Sequence, residues 1–377
     1  NSGSRNISFY GVTANSNYTS YTGHLGTGIQ QNFTLNDKTS ITPTFRLDYL
    51  TVQSQAYNES NAGVLNLNNG TSAITFGVNA LTLGGVATDS ISGPLTGSAT
   101  ITKDGTGTLV LNADNSTSFT GLTTVSVGLV KVAQNNALGN SAATSVTGGA
   151  TVQTLGTGLI IPEPITLNGD GLTTNQGSLR NSSGSNTWSG PVTIGSTGAR
   201  IVSTGTSIDG SDSLVLNNTV AVGGLLTIDA TKGINLSNVI SGIGGITKIG
   251  NDTLLLGGSN IYTGATIITN GVVQLQNQDA LGSTTLGVTG ASTTTISAAS
   301  ASLAAIKIVG TNLVIPEVIS IYGTGVNGTG AIRNMGSKNT LLGAITISTV
   351  GSLISSTGTA VDGSDSLVIR GGIVGSN

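Results

Sequence analysis

The chain repeats a long segment of its own sequence. Residues 101–139, ITKDGTGTLVLNADNSTSFTGLTTVSVGLVKVAQNNALG, return at 246–282 as ITKIGNDTLLLGGSNIYTGATIITNGVVQLQNQDALG. Further matches follow, among them STGTSIDGSDSLVL from Ser203 and STGTAVDGSDSLVI from Ser356. Internal repetition on this scale predicts stacked units, each in contact only with its neighbours, and not one globular core.

The repeat divides the chain into three parts. We expect an N-terminal module at residues 1–78, a first repeat unit at 79–223 and a second, shortened unit at 224–377. The chain starts with Asn1, and its single methionine is Met335, so we expect the native polypeptide to extend further.

Composition favours a narrow core and an uncharged surface. Charged residues make up 8% of the chain, against roughly 25% in typical soluble domains. Aromatic residues make up 3%, and 57 of the 377 residues are glycine. Such a chain lacks the large rings of a wide core, whereas stacked valine, isoleucine, leucine and alanine suit a narrow one.

The local pattern is that of β-strands almost throughout. Segments such as LTTVSVGLVKV and ATIITNGVVQLQ alternate apolar and small polar residues, and Gly, Asn-Gly and Asp-Gly turns separate them. No segment has a convincing helical stripe. The sequence therefore predicts an all-β chain: a β-solenoid, in the form of a right-handed parallel β-helix, with an N-terminal antiparallel β module.

The repeated segment resembles the passenger-associated transport repeat of Gram-negative autotransporters, also called the autotransporter-associated β-strand repeat. The residues that carry the resemblance in the first copy are Lys103, Gly105, Leu109, Leu111, Thr120, Gly121, Gly128, Leu129, Ala137, Leu138 and Gly139. Their partners in the second copy are Lys248, Gly250, Leu254, Leu256, Thr263, Gly264, Gly271, Val272, Ala280, Leu281 and Gly282. The resemblance implies a parallel β-helix that is exported and displayed on the outer-membrane surface or shed from it.

The N-terminal module resembles part of an autotransporter β-barrel. The segment FTLNDKTSITPTFRLDYLTVQSQAYNESNAGVLNLN, from Phe33, is similar to consecutive strands joined by a polar hairpin at Asn36 and Asp37. In that family the barrel lies at the C-terminus and needs about a dozen strands. This shorter N-terminal stretch is therefore expected to reflect a rearrangement of the gene, or to act as a cap or a connector between subunits.

Charge and composition exclude several partners. A net charge of −3 gives no basic footprint for nucleic acid or for an anionic membrane surface. No run of 18 apolar residues is present, so no transmembrane helix is expected. Cysteine is absent, which excludes disulfides and thiolate chemistry. The expected partner is the chain itself, in a homopolymer built by end-to-end strand addition, and host or surface glycans and proteins stay open as further partners.

The acidic motif DGSD occurs once in each repeat unit. Its residues are Asp209 and Asp212 in the first unit and Asp362 and Asp365 in the second. The simplest interpretation is a turn in which aspartate accepts backbone N–H bonds, and a calcium site is the weaker alternative. We expect no catalytic residue and no cofactor, and hence a protein that is not an enzyme.

A second acidic pair follows proline in both units. Glu163 precedes Arg180, and Glu317 precedes Arg333, by about one coil of a β-helix. This spacing favours an ion pair between adjacent coils in each unit.

Two further residues invite functional interpretations that we set aside. Trp188 has Leu341 as its counterpart in the second unit, which favours apolar packing over a sugar-stacking role. His24 is the only histidine and has no metal-binding context around it in the sequence.

The sequence thus favours an extracellular structural protein, a β-solenoid fibre subunit that associates end to end. The alternatives are an autotransporter-type adhesin stalk and, less favoured, a polysaccharide-degrading β-helix enzyme. Uncapped apolar strands at the C-terminus, in SDSLVIRGGIVGSN, are the reason to prefer association.

Overall fold

The structure is a computed structural model of the chain. It describes residues 80–375 except 117, 140–142, 174, 206–212, 284–292, 298–302, 349–350 and 358–364, and within residues 1–79 it describes the backbone of the strands alone. The chain divides into two compact units, Asn1–Val78 with Gly93–Thr96, and Asn79–Ser92 with Gly97–Asn377.

The described elements are almost all short strands. The first nine are β1 (Ser2–Ile7), β2 (Val12–Asn17), β3 (Ser20–Gln30), β4 (Phe33–Asn36), β5 (Thr39–Ile41), β6 (Thr44–Ser54), β7 (Tyr57–Ser60), β8 (Asn66–Asn69) and β9 (Ile74–Thr75). The strands that reach to the end of the first repeat unit are β10 (Leu81–Leu83), β11 (Thr88–Ile91), β12 (Leu95–Thr96), β13 (Ile101–Lys103), β14 (Thr108–Leu111), β15 (Thr123–Val125), β16 (Gly128–Val132), β17 (Thr144–Val146), β18 (Ala150–Thr154), β19 (Ile160–Ile161), β20 (Ile165–Gly169), β21 (Leu179–Asn181), β22 (Ser185–Trp188), β23 (Val192–Ser203), β24 (Ser213–Leu216) and β25 (Val220–Val222).

The second repeat unit continues in the same way. Its strands are β26 (Leu226–Ala230), β27 (Gly233–Leu236), β28 (Ile240–Gly242), β29 (Ile246–Ile249), β30 (Thr253–Leu256), β31 (Thr266–Ile268), β32 (Gly271–Leu275), β33 (Thr293–Ile296), β34 (Ala304–Ile308), β35 (Val314–Ile315), β36 (Val318–Ile321), β37 (Ile332–Asn334), β38 (Asn339–Leu341), β39 (Ile345–Ile347), β40 (Ile354–Ser356), β41 (Leu367–Ile369) and β42 (Ile373–Gly375). A 3-10 turn at Val326–Gly328 is also present. Among the described residues, no helix has the length and apolar character needed to cross a membrane.

The N-terminal unit is mainly antiparallel, as predicted. β1, β2, β7, β8 and β9 pair in that order with antiparallel neighbours, and β12 adds to β9 in parallel. β3 and β6 pair antiparallel along their full lengths. β4 and β5 form the hairpin expected at Asn36 and Asp37. His24 lies in β3 opposite Leu50, and its side chain is outside the described residues.

The second unit is a parallel β-solenoid, which confirms the predicted fold class. Column one contains β10, β13, β15, β17, β20, the start of β23, β25 and β28. Column two contains β11, β14, β16, β18, β21, the end of β23, β26, β29, β31, β33, β36, β39 and β42. Column three contains β19, β22, β24, β27, β30, β32, β34, β37 and β40. β35, β38 and β41 pair with one another and follow column three in chain order, in the place that column one fills earlier. The right-handed sense of the coil stays a prediction.

The core consists of apolar rows that run from coil to coil. Because strand side chains alternate between two faces, every second residue points inward and stacks on its counterpart in the next coil. One such row in column three is formed by Leu214, Ile234, Leu254, Val273, Ile306 and Ile332, all of them buried. In the repeated segment, Leu109, Leu111, Leu254 and Leu256 point inward and are buried, as the two-residue alternation of apolar residues predicts.

The two copies of the repeat are turned relative to each other by one column. β13, which opens the first copy, lies in column one, whereas its counterpart β29 lies in column two. Between them the chain visits column one at β13, β15, β17, β20, β23, β25 and β28, which are seven visits and therefore six turns. β29 follows one column later. Equivalent residues of the two copies thus face different sides of the solenoid.

Paired asparagines close the corner between β21 and β22 and the equivalent corner between β37 and β38. The Asn186 side-chain amide donates to Asn181 Oδ1 at 2.8 Å, and Asn339 donates to Asn334 Oδ1 at 2.7 Å. These side chains also bond backbone carbonyls, including Gly184 O at 2.9 Å from Asn181 Nδ2. Buried amides in this position satisfy backbone groups that the turn leaves without strand partners.

Candidate functional site

A lysine is buried in the core of each repeat copy. Lys248 is completely buried, and its ammonium donates to the backbone carbonyls of Ile249, Gly250 and Asn270 at 2.8, 2.8 and 3.0 Å. Three carbonyl acceptors match the three N–H donors of an ammonium group. The first-copy lysine, Lys103, is also buried and bonds Gly105 O. We call this arrangement the lysine clasp.

A glycine is needed beside each clasp. Gly271 has φ +73°, and a Cβ atom there would lie 2.7 Å from Lys248 Nζ and 2.4 Å from both Gly250 O and Asp252 O. Only glycine tolerates such close backbone contact together with a left-handed φ. The first-copy counterpart, Gly128, has φ +85° and the same closeness to its lysine. The clasp therefore explains physically why the repeated sequence pairs a lysine with these glycines.

Burial lowers the pKa of the lysine in each clasp. Burial lowers the pKa of the Lys248 ammonium to about 8, while the nearby Asp229 and Asp252 act in the opposite direction. Burial likewise lowers the pKa of Lys103, against the influence of Asp89 and Asp104. The clasp connects Gly250 on one coil with Asn270 on the next, so it is a coil-to-coil fastening and has no access to a substrate.

The two glutamates that follow proline are also buried. Glu163 Oε1 accepts a hydrogen bond from Thr144 Oγ1 at 3.4 Å, and its Oε2 has no hydrogen-bond partner. In the second unit, neither carboxyl oxygen of Glu317 has a partner. Burial raises the pKa of Glu163 to about 7 and that of Glu317 to about 8. Both groups are thus protonated in mildly acidic solution.

The predicted ion pairs with arginine are wrong. Glu163 lies between the buried residues Ile161 and Ile165, at every second position, so its side chain points inward. Arg180 lies between the buried residues Leu179 and Asn181, so its side chain points outward. The same parity separates Glu317 from Arg333 in the second unit. Residues of opposite parity lie on opposite faces of the sheet and cannot meet.

Trp188 packs in the core, as predicted. It is fully buried, and its indole Nε1 donates to the backbone carbonyl of Glu163 at 2.7 Å. Leu341, its counterpart, is also buried but has no donor for the equivalent carbonyl of Glu317. Trp188 is thus not exposed for stacking on a sugar.

The acidic motif lies mostly outside the described residues, which include neither Asp209, Asp212 nor Asp362. Asp365 is described, and its Oδ1 accepts a hydrogen bond from the backbone N–H of Ser337 at 2.9 Å. Ser337 lies on the neighbouring coil, so this bond joins two coils, and the turn expected within the motif stays a prediction. Within the described part of the chain, no three His, Cys, Asp or Glu side chains come together as a group that could hold a metal.

The last described coil has inward residues that the described chain does not fully cover. β40, β41 and β42 each end their columns in the described structure. Their inward residues are partly exposed: Ile373 in β42 has 53% of its surface exposed, whereas its first-unit counterpart Val220 has none. In the first unit the strands β26, β27 and β28 cover the equivalent edge.

One pair of structural asparagines carries no motif that would mark it in the sequence. Asn115 and Asn260 are buried, and their side-chain amides donate to Ala137 O at 2.6 Å and Ala280 O at 2.7 Å. Asn115 begins an Asn-Ser-Thr glycosylation sequon, but its burial leaves no room for a glycan. The signal that could have identified the pair is its recurrence at equivalent places in both copies.

Two family models match parts of the chain. Residues 1–157 match the model described as the autotransporter beta-domain, and residues 246–275 match the passenger-associated-transport-repeat. The first match covers the antiparallel strands and also the parallel coils up to β18. These matches confirm the resemblance to autotransporter proteins.

The family matches also bear on location and on the general kind of protein. Autotransporter proteins are located at the outer-membrane surface or secreted, so the extracellular or surface location expected from the sequence is confirmed at the level of the family. Passenger repeats on a parallel β-structure indicate a surface-exposed passenger. No curated protein and no solved structure matches the chain.

Proposed function

We propose that the chain is a non-enzymatic structural protein of the cell surface that associates end to end into fibres. The observation that carries the proposal is the stacking of coil on coil: apolar inward residues such as Leu214, Ile234 and Leu254 continue in register from one coil to the next, and a strand of the same pattern can add to such a row. A sheet edge with unpaired backbone groups and apolar inward residues favours the addition of another strand. The partner we assign to it is a second copy of the chain.

The pattern of the edge supports a continuation of the solenoid. In the first unit, Ile201, Leu214 and Val220 are covered in register by Ile228, Ile234 and Ile240. Their second-unit counterparts are Ile354, Leu367 and Ile373, which are not fully buried. Covering these residues with another apolar coil would remove aliphatic surface from water, at about 25 cal/mol per Å².

The N-terminal unit of the second copy is the donor that we favour. The first coil of the solenoid has Asp89 opposite the buried Leu109, at an inward position, and Asp89 is exposed. An inward-pointing charge disfavours stacking against an apolar edge, because the carboxylate would lose its water. We therefore assign the added strand to the antiparallel module of residues 1–77 and not to the first coil, where Asp89 would have to lose its water.

Variants of the last strand test the proposal in the full chain. Ile373→Asp places a charge at an inward edge position, and Val374→Asp places the same charge at the outward position next to it. We expect Ile373→Asp to convert fibres into monomers and Val374→Asp to leave fibre length unchanged, measured by sedimentation velocity and negative-stain electron microscopy.

Two outcomes would overturn parts of the proposal. A wild-type chain that stays monomeric at high concentration would favour the alternative role, an adhesin stalk. Fibres of undiminished length from a chain without residues 1–77 would show that the donor lies elsewhere.

The absence of catalysis is part of the proposal. Its support is that the duplicated carboxylates, Glu163 and Glu317, are sealed in the core and have no second carboxylate as a hydrogen-bond partner. A pair of carboxylates facing one sugar is what glycoside hydrolysis requires. Glycan cleavage by the purified chain would restore the polysaccharide-degrading alternative.

A further inference from the structure

Two short rows of basic and amide side chains lie on the outside of the solenoid. In strip 1, Lys131 is in register with Gln153, and Gln153 with Arg180. In strip 2, Gln274 is in register with Lys307, and Lys307 with Arg333. Five of these residues are partly exposed between buried neighbours on their strands, so they point outward. Gln153 shares their register, but its side chain is buried and donates to Ser182 Oγ at 3.0 Å.

The strips place cations at regular intervals along the solenoid axis. Neighbouring parallel strands lie about 4.8 Å apart, so the two cations are about 10 Å apart in strip 1 and about 5 Å apart in strip 2. The described structure contains no ion pair or hydrogen bond from the side-chain cations of Lys131, Arg180, Lys307 or Arg333. Their charges are therefore not neutralised by a described carboxylate.

The recurrence of arginine at an outward position calls for an explanation other than packing. Inward residues recur because the core needs them, and outward residues are free of that need. Among the outward strand residues of the described repeat, many differ between copies, as Lys131 and Gln274 do, whereas Arg180 returns as Arg333. The Nε atoms of both arginines are buried. The aliphatic parts of both arginines therefore lie against the sheet. Their side chains have less conformational entropy to lose when a ligand binds.

We propose that each strip binds one strand of an acidic polysaccharide that carries a carboxylate on its sugar rings. An arginine guanidinium forms paired hydrogen bonds with a carboxylate, and the lysine supplies a second positive charge along the strand. In strip 2 the amide of Gln274 adds a group that can bond a sugar hydroxyl, whereas in strip 1 the Gln153 amide is already bonded to Ser182. A polymer that lies along the axis would meet both cations of a strip.

Nucleic acid fits the strips less well. The chain has a net charge of −3, and 3% of its residues are aromatic, so it has neither a broad basic surface nor a run of rings on which bases could stack. The strips are narrow and polar, which suits a hydroxyl-rich chain.

The offset between the repeat copies makes the two strips separate sites. Strip 1 lies in column two and strip 2 in column three. A single polymer strand along the axis therefore contacts one strip. The chain is expected to bind two short oligomers independently, one on each column.

Titration calorimetry of the full chain with a short oligogalacturonate, at low ionic strength, tests this geometry. We expect two sites per chain in the wild type, one in Arg180→Gln or Arg333→Gln, and none in the double variant. The matched control is Lys338→Gln with Arg370→Gln, which removes the same charge from two exposed positions outside the strips and should keep both sites. Circular dichroism verifies that each variant is folded.

Several results would overturn the proposal. These are no binding by the wild type, full stoichiometry in the double variant, or equal loss in the control. Stronger binding of heparin fragments or single-stranded DNA, with the same dependence on the two arginines, would reject the carboxylate polymer as partner. A neutral oligosaccharide such as maltohexaose should not bind at all.

Discussion

The indole of Trp188 donates a 2.7 Å hydrogen bond to the backbone carbonyl of Glu163, one coil away. The bond fastens two coils at a place where Leu341, in the second unit, provides only apolar contact. We predict that Trp188→Phe destabilises the fold by about 1–3 kcal/mol, because the buried carbonyl loses its donor while most of the ring stays. Urea unfolding measures the change, and Leu341→Phe serves as the comparison in which no hydrogen bond is lost.

The buried glutamates predict a fold that weakens as the pH rises. Their folded pKa values, about 7 for Glu163 and about 8 for Glu317, lie above the ordinary value of 4.5. Between pH 4.5 and these values the folded chain holds protons that the unfolded chain has released, so stability is highest in acid and falls until pH 7 to 8. The loss is on the order of 3 kcal/mol per group.

The double variant Glu163→Gln with Glu317→Gln tests this directly. Its free energy of unfolding should be almost independent of pH between 5 and 8, while the wild type loses stability. Asp170→Asn, at an exposed carboxyl, is the matched control and should behave as the wild type. A wild type that gains stability toward pH 8 would contradict the burial of the two carboxyl groups.

The lysine clasp predicts a specific cost for removing a buried charge. Lys248→Met keeps an unbranched side chain, one atom shorter, but leaves the carbonyls of Ile249, Gly250 and Asn270 without their donor. We expect a loss of about 3 kcal/mol in stability, since unsatisfied buried acceptors cost about 1–3 kcal/mol each and some will reach water. Lys338→Met, at an exposed site, should change stability by less than about 0.5 kcal/mol in the same denaturation experiment.

Adjacent leucines provide an internal control for the core. Leu254 points inward and is fully buried, whereas Leu255, next to it on β30, points outward. Leu254→Asp should cost about 3 kcal/mol or more, and Leu255→Asp much less. Hydrogen exchange should show the damage confined to the coils next to β30, because each coil depends on its neighbours. Loss of protection throughout the chain would point to a single cooperative core.

Calcium should have no effect on stability. Asp365 accepts the Ser337 N–H from the neighbouring coil, an interaction that needs no metal, and turns in which aspartate accepts backbone N–H bonds are expected at Asp209 and Asp212. The melting temperature should be the same with excess calcium and with a chelator. A rise of several degrees with calcium that disappears in Asp209→Asn or Asp362→Asn would restore the metal site.

The repeat and the two-residue alternation were enough to predict the parallel solenoid and the inward leucines. The same alternation places Glu163 inward and Arg180 outward, so it also argues against an ion pair between them. The predicted ion pair rested only on their separation along the chain. The burial of Lys248 was not predictable in this way, because strand patterns place charged residues outside. Two of its carbonyl acceptors, Ile249 and Gly250, are local, but the third, Asn270, comes within reach only when the next coil stacks on the first. The column offset depends on how many strands each coil contributes, which turn lengths alone do not give.

Because the two copies differ by one column, each copy presents its equivalent residues on a different side of the solenoid. If one more copy were inserted, every residue after the insertion would lie one column further round the solenoid. The apolar inward rows would still stack from coil to coil. Three additional copies would shift such a feature by three columns and so return it to its original side. A change in copy number would therefore move a surface feature to another side of the solenoid without changing any residue of that feature.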